Sequence, residues 1–94
     1  MFKRKTSGYL MMVETGDPNK TLDNLIARAK DVAEVETTAI YTTQGMGWLT
    51  PMCGLRFRSP SDDNVALNLA LQIAGGLPFT LSTGYGSHKR EIAQ

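Results

Sequence analysis

A chain of 94 residues, 41% of them apolar and 20% charged, has the size and composition of one globular domain and is too short for two. Ten Lys and Arg against nine Asp and Glu leave a formal charge of +1, so only a local patch could concentrate the molecule on nucleic acid or anionic lipid. One cysteine, Cys53, excludes an intrachain disulfide framework, and one histidine, His88, excludes a His/Cys-rich zinc module. The longest apolar runs, such as Leu10 to Val13, fall far short of the roughly 20 residues of a bilayer span, so no membrane association is expected. Met1-Phe2-Lys3-Arg4-Lys5 has a charged start with no apolar core behind it, which argues against a secretory signal and for a cytoplasmic location. Residues 1–94 are read as a single domain with loose basic termini at 1–6 and 86–94.

Along the chain, the short apolar run from Gly8 to Glu14 predicts a first strand, closed by the turn-forming cluster Thr15-Gly16-Asp17-Pro18-Asn19. Leu22, Leu25, Ile26, Ala29, Val32 and Ala33 recur at helical spacing and predict a first helix, capped by Asp17 ahead of Pro18 or by Thr21. Thr37 to Thr43 is β-branched or aromatic at almost every position and predicts a second strand. Glycines and Pro51 then break periodicity in a long hairpin loop, and Cys53 to Arg58 alternates strictly as a third strand. Val65 to Ile73 repeats its large residues with period two, yet local chemistry decides for a second helix. Ser59-Pro60-Ser61-Asp62-Asp63 is a helix start, Gly75-Gly76 a helix stop, and Asn64, Asn68 and Gln72 form one polar stripe. Pro78 to Thr83 alternates as a fourth strand.

This order, with Asp17-Pro18 and Ser59-Pro60 marking two similar helix starts, predicts a doubled βαβ unit. The expected class is α+β, a ferredoxin-like βαββαβ domain with a four-stranded antiparallel sheet in the order 4-1-3-2 and both helices on one face. Its core is expected to contain Leu25, Ile26, Ala29, Leu55, Phe57, Leu67, Leu71, Phe79 and Leu81.

In that topology Lys3, Arg4, Lys5, Arg56, Arg58, Lys89 and Arg90 map to one end of the sheet, with Asp31, Glu34, Glu36, Asp62, Asp63 and Glu91. Lys3, Arg4, Lys5, Lys89 and Arg90 are candidate phosphate contacts. Arg56 and Arg58 alternate with Leu55 and Phe57, so burying the apolar pair puts both arginines on the open face. The string Gly54-Leu55-Arg56-Phe57 loosely resembles the third strand of the RNA-recognition motif, which stacks exposed aromatics on bases. Adopting that register here would bury both arginines unpaired, at several kcal/mol, so base stacking is rejected while electrostatic contact is retained. In the first strand Tyr9, Met11 and Val13 lie on one side and Leu10 and Met12 on the other, so apolar residues remain on the open sheet whichever side is buried. A homodimer is expected on this ground, with Tyr9, Met11 and Val13 as the candidate dimer face.

Several chemistries are set aside. Gly16-Asp17-Pro18-Asn19-Lys20-Thr21 lacks the glycine before lysine of a phosphate loop and carries an acid and a proline instead. Gly84-Tyr85-Gly86-Ser87 precedes no helix, so it is not a dinucleotide fingerprint. Cys53 and His88 map to positions about 20 Å apart across the sheet, at ~3.3 Å per residue, too far for a nucleophile and its base. No cofactor and no metal site is expected. In the hairpin loop Met46, Trp48 and Leu49 stand among glycines and form, with Arg56 and Arg58, a candidate partner-binding surface. The resulting expectation is a small non-catalytic protein that occupies a protein partner, as an accessory or inhibitor-like module. The alternatives are a nucleic-acid binder and, more weakly, a dimeric α/β-barrel-like enzyme.

Overall fold

A computed structural model describes residues 5–41, 50–84 and 89–92. It is a mixed α+β fold built from β1 (Thr6–Glu14), α1 (Pro18–Ala29), β2 (Glu34–Tyr41), β3 (Met52–Pro60), α2 (Asp63–Ala74), β4 (Thr80–Thr83) and β5 (Arg90–Ile92). The strands form one antiparallel sheet in the order β2-β3-β1-β4-β5. The expected neighbours 4-1-3-2 are present, but the sheet has five strands and not four. The fifth comes from the segment expected to be a loose terminus: Arg90, Glu91 and Ile92 pair with Thr83, Ser82 and Leu81, and Ile92 is buried. At the other end β1 begins at Thr6, paired with Pro60, so residue 6 is not loose either.

Both helix starts follow from capping. Asp17 Oδ1 accepts from the Lys20 amide at 3.2 Å with Pro18 at the first helical position, while the Thr21 hydroxyl is bonded to that of Thr15 at 2.7 Å. Asp62 Oδ1 accepts from the amides of Asn64 at 2.9 Å and Val65 at 3.4 Å. α1 ends at Ala29, earlier than its apolar spacing suggested. Val32 and Ala33 sit in the following turn, packed on the core, where their amides bond the Ala29 carbonyl. β2 accordingly starts at Glu34 rather than Thr37, with an irregularity between Val35 and Thr37. β4 starts at Thr80, because Pro78 has no amide to give to a ladder.

One core joins the two layers. Tyr9, Met11 and Val13 of β1, Cys53, Leu55 and Phe57 of β3, and Leu81 of β4 meet Leu22, Leu25 and Ala29 of α1 and Ala66, Ala70 and Ile73 of α2. Tyr9, Met11 and Val13 therefore are not a dimer face: paired with Phe57, Leu55 and Cys53, they are committed to the helix side with those residues. Leu71 is corrected as well, being 52% exposed. The stripe of α2 that enters the core is Ala66, Ala70, Ile73 and Ala74, three alanines and one isoleucine, and Leu67 only flanks it.

α1 also closes the end of α2. Arg28 Nε donates to the Ile73 carbonyl at 2.6 Å and Nη2 to the Ala74 carbonyl at 3.1 Å, placing a cation on two carbonyls at a helix C-terminus. Gly75 follows at φ 60°, and a Cβ there would stand 2.7 Å from Arg28 Cζ, so both the backbone conformation and the guanidinium require glycine.

Two stability outcomes follow. Phe57→Ala, which empties a fully buried site stacked on Tyr9 at 6.1 Å, lowers unfolding free energy by about 3–5 kcal/mol in denaturant melts. Arg28→Ala removes the cross-helix cap and lowers it by about 1.5–3 kcal/mol, the range for hydrogen bonds from a charged donor. Equal stability of Arg28→Ala and wild type would show that water replaces the cap without loss.

Candidate functional site

The face of the sheet away from the helices is the candidate site. Strict alternation puts Leu10 and Met12 there from β1, Met52, Gly54, Arg56 and Arg58 from β3, and Thr37, Ala39 and Tyr41 from β2. Gly54 lies under the Met12 side chain. A Cβ at Gly54 would collide with Met12 Sδ and stand 2.7 Å from the Met11 carbonyl oxygen, so glycine lets the methionine lie flat across the neighbouring strand. The result is an apolar floor of Leu10, Met12 and Met52, with Tyr41, 54% exposed, at its edge.

Met12 lines three shallow cavities: one of about 390 Å³ lies among Leu10, Tyr41, Met52, Thr80 and Lys89, and two others lie beside Thr80. One of about 300 Å³ is lined by Met12, Glu14, Met52, Pro78, Phe79 and Thr80. The other, about 280 Å³, runs along Thr80, Ser82, Lys89 and Glu91. Methionine suits such a floor because its unbranched, polarizable side chain adapts to differently shaped contacts. Leu10 and Met12 are one of the two sides that the sequence left open for the first strand, whereas Met52 and Tyr41 were not expected in the site. The available signal was that Met52 shares its parity with Gly54 and Arg56.

The cations are distributed over both faces. Arg58 forms an ion pair with Glu36 at 3.5 Å and donates to the Thr6 hydroxyl at 2.8 Å, and Arg56 lies half-buried beside it on the same face. Lys89 stands over the cavity of about 280 Å³. Lys5 is exposed at the strand end, where its carbonyl accepts from the Ser61 amide at 3.0 Å. Arg90 belongs to the helix side: Nη1 and Nη2 reach the two Asp63 carboxylate oxygens at 2.8 and 3.1 Å, fastening β5 to the start of α2. The candidate phosphate contacts Lys5, Lys89 and Arg90 thus do not form one surface, because Arg90 and Lys89 leave opposite sides of the chain. Lys3, Arg4, Met46, Trp48, Leu49 and His88 lie outside the described residues.

Four titratable groups are held by burial or by a partner: Asp63, Tyr9, Cys53 and Asp62. Arg90, through its hydrogen bonds, holds the Asp63 carboxyl below the usual carboxylate range. Burial, assisted by the nearby Asp63 charge, pushes the Tyr9 phenol up. Burial also raises the Cys53 thiol, which disfavours the thiolate that nucleophilic chemistry requires. Asp62 is occupied as a helix cap, and among the described residues no group of three or more His, Cys, Asp and Glu could hold a metal ion. Leu55 and Phe57 face the helices, so no aromatic of β3 is presented on the open face. No helix among the described residues is long and apolar enough to cross a membrane. Searches against family models, curated proteins and solved structures found no match to this chain.

The Asp63–Arg90 pair makes a pH statement. Because the folded-state carboxyl titrates below its unfolded value of about 3.9, its contribution to folding is present above that pH and is lost as pH falls through the lower folded value. In NMR titrations the Asp63 carboxyl midpoint lies below about 3.9 and rises toward it in Arg90→Ala. An unmoved midpoint would show that the pair is not formed in solution.

Proposed function

We propose that this chain is a small non-catalytic binding module that occupies a protein partner through the open face of its sheet. The observation that carries the reading is the apolar floor of Leu10, Met12 and Met52, left uncovered by the helices and surrounded by charges of both signs. An apolar centre with a polar rim is the anatomy of a protein–protein contact. Glu14, Glu36 and Glu91 stand among Arg56, Arg58 and Lys89 on this rim, an arrangement that a phosphate backbone would meet unfavourably and a mixed protein surface would complement. Met46, Trp48 and Leu49 in the β2–β3 connection add an aromatic anchor to this reading, on the sequence argument alone.

The test begins with affinity capture from the native host and mass spectrometry, followed by titration of the recovered protein in purified form. Leu10→Asp and Met52→Asp weaken that binding at least tenfold, about 1.4 kcal/mol, while circular dichroism stays native. Trp48→Ala weakens it by at least about 2 kcal/mol with little change in melting temperature. Reversing Arg56 and Arg58 to glutamate separates the protein reading from nucleic-acid binding. Loss of affinity for every oligonucleotide, with a flattened salt slope, would establish the nucleic-acid alternative and overturn this one.

A further inference from the structure

The two edges of the sheet differ. β5 is three residues long and carries Arg90 and Glu91, so it offers little for another strand to pair with. β2 runs for eight residues and, among the described residues, is paired on one side only, to β3. Its first half is protected in the ways edge strands commonly are, by Glu34, Glu36 and the irregularity between Val35 and Thr37. Its second half, Thr37-Thr38-Ala39-Ile40-Tyr41, has no charge, proline or bulge, and it stays in register with Arg56, Leu55, Gly54, Cys53 and Met52 throughout. Ile40 is 37% exposed on the helix side and Tyr41 projects from the open side. An unguarded run of five residues, apolar at one end on both faces, is a template for strand addition.

We propose that a second copy of this chain pairs on this edge, β2 against β2, about a two-fold axis through Ala39. This goes beyond the open-face reading and does not rest on it. The register is set by the residues themselves. An axis normal to the sheet keeps the helices of both copies on one side, so paired residues must share parity. Centring on Ala39 places Ala39 once opposite its own counterpart, and Thr38 opposite Ile40 and Thr37 opposite Tyr41 twice each. All five pairs stay within the regular segment. Centring on Thr38 would set Glu36 and the irregular backbone against Ile40, whereas the Ala39 register leaves both glutamates outside the five pairs.

The paired side chains suit one another. Threonine opposite isoleucine or tyrosine is a favourable cross-strand combination, and no like charges face each other. Tyr41 of the second copy falls beside Thr37, whose other neighbour is Arg56, so its ring extends across the small threonine toward that guanidinium. The two sheets become one of ten strands, with their open faces continuous across the axis.

Light scattering at high micromolar concentration tests this. Wild type is expected at twice the 10.3 kDa chain mass. T38K/I40K and T38E/I40E each place like charges opposite one another and are expected as monomers, while an equimolar mixture of the two recovers a dimer containing one of each. A monomeric wild type, dimers of either charged variant alone, or a mixture that stays monomeric overturns the proposal. Crosslinking gives a second readout if the charged variants fail to fold. Ala39→Cys, brought to its own counterpart at disulfide distance, forms a covalent dimer under copper-phenanthroline oxidation, and Thr38→Cys forms much less; equal crosslinking of both variants, or none at Ala39→Cys, overturns the register. Leu10→Asp, on the open face, leaves the dimer intact, so failure of the docking reading and failure of this one are distinguishable.

Discussion

The β1–β3 ladder is the constraint from which the rest of the molecule follows. Nine consecutive pairs, from Thr6 with Pro60 to Glu14 with Met52, lock the parity of two central strands together. Once Tyr9, Met11 and Val13 share a face with Phe57, Leu55 and Cys53, that face has to be covered, and both helices lie on it. The opposite face then receives Leu10, Met12, Arg56 and Arg58 with no further choice. A slip of one residue in β3 would bury arginines and expose phenylalanine, at several kcal/mol for each unpaired charge. The composition of the open face is therefore a consequence of how the core is filled.

The helices are held over this sheet by the shared core and by polar contacts at their ends. α2 buries Ala66, Ala70, Ile73 and Ala74 in that core, and Arg28 reaches from α1 to the last carbonyls of α2. The other end of α2 is tied to β5 by Asp63 and Arg90. α2 is thus contacted at its start by the C-terminal strand and at its end by the first helix, in each case through an arginine. Such contacts between distant parts of the chain are geometric rather than compositional, and each would have been counted from sequence as one more surface cation.

The separation of charge on this molecule follows the same logic. Seven cations map near one end of the sheet by topology, but alternation within β5 sends Arg90 to the helix side, while Lys89 lines a cavity on the open face. Arg58 is shared between Glu36, in the irregular part of β2, and Thr6. The open face therefore has charges of both signs around an apolar centre. Strand parity and pairing decided which face Arg56, Arg58, Lys89 and Arg90 each serve.

Sequence alone determined the elements whose signals are local. Asp17-Pro18 marks the first helix start, and the second falls within the run Ser59 to Asp63, where Asp62 is the cap and Ser59 and Pro60, expected to mark the start, end β3 instead; Gly75 marks a stop because a left-handed residue is needed there. Alternation in Cys53 to Arg58 assigned Leu55 and Phe57 to the core and both arginines to the open face. What tertiary structure decided was everything depending on a partner remote in the chain. The first strand was apolar on both sides, so its buried side was chosen by pairing with β3. The leucines of α2 are larger than its alanines, yet the side of α2 in the core is that of Ala66, Ala70, Ile73 and Ala74, with Leu71 exposed. Arg90 to Ile92 is too short to show a period, and it became a strand because β4 offered a free edge and Asp63 a carboxylate. Local patterns state what a segment can become; the face it presents is fixed by the neighbour it finds.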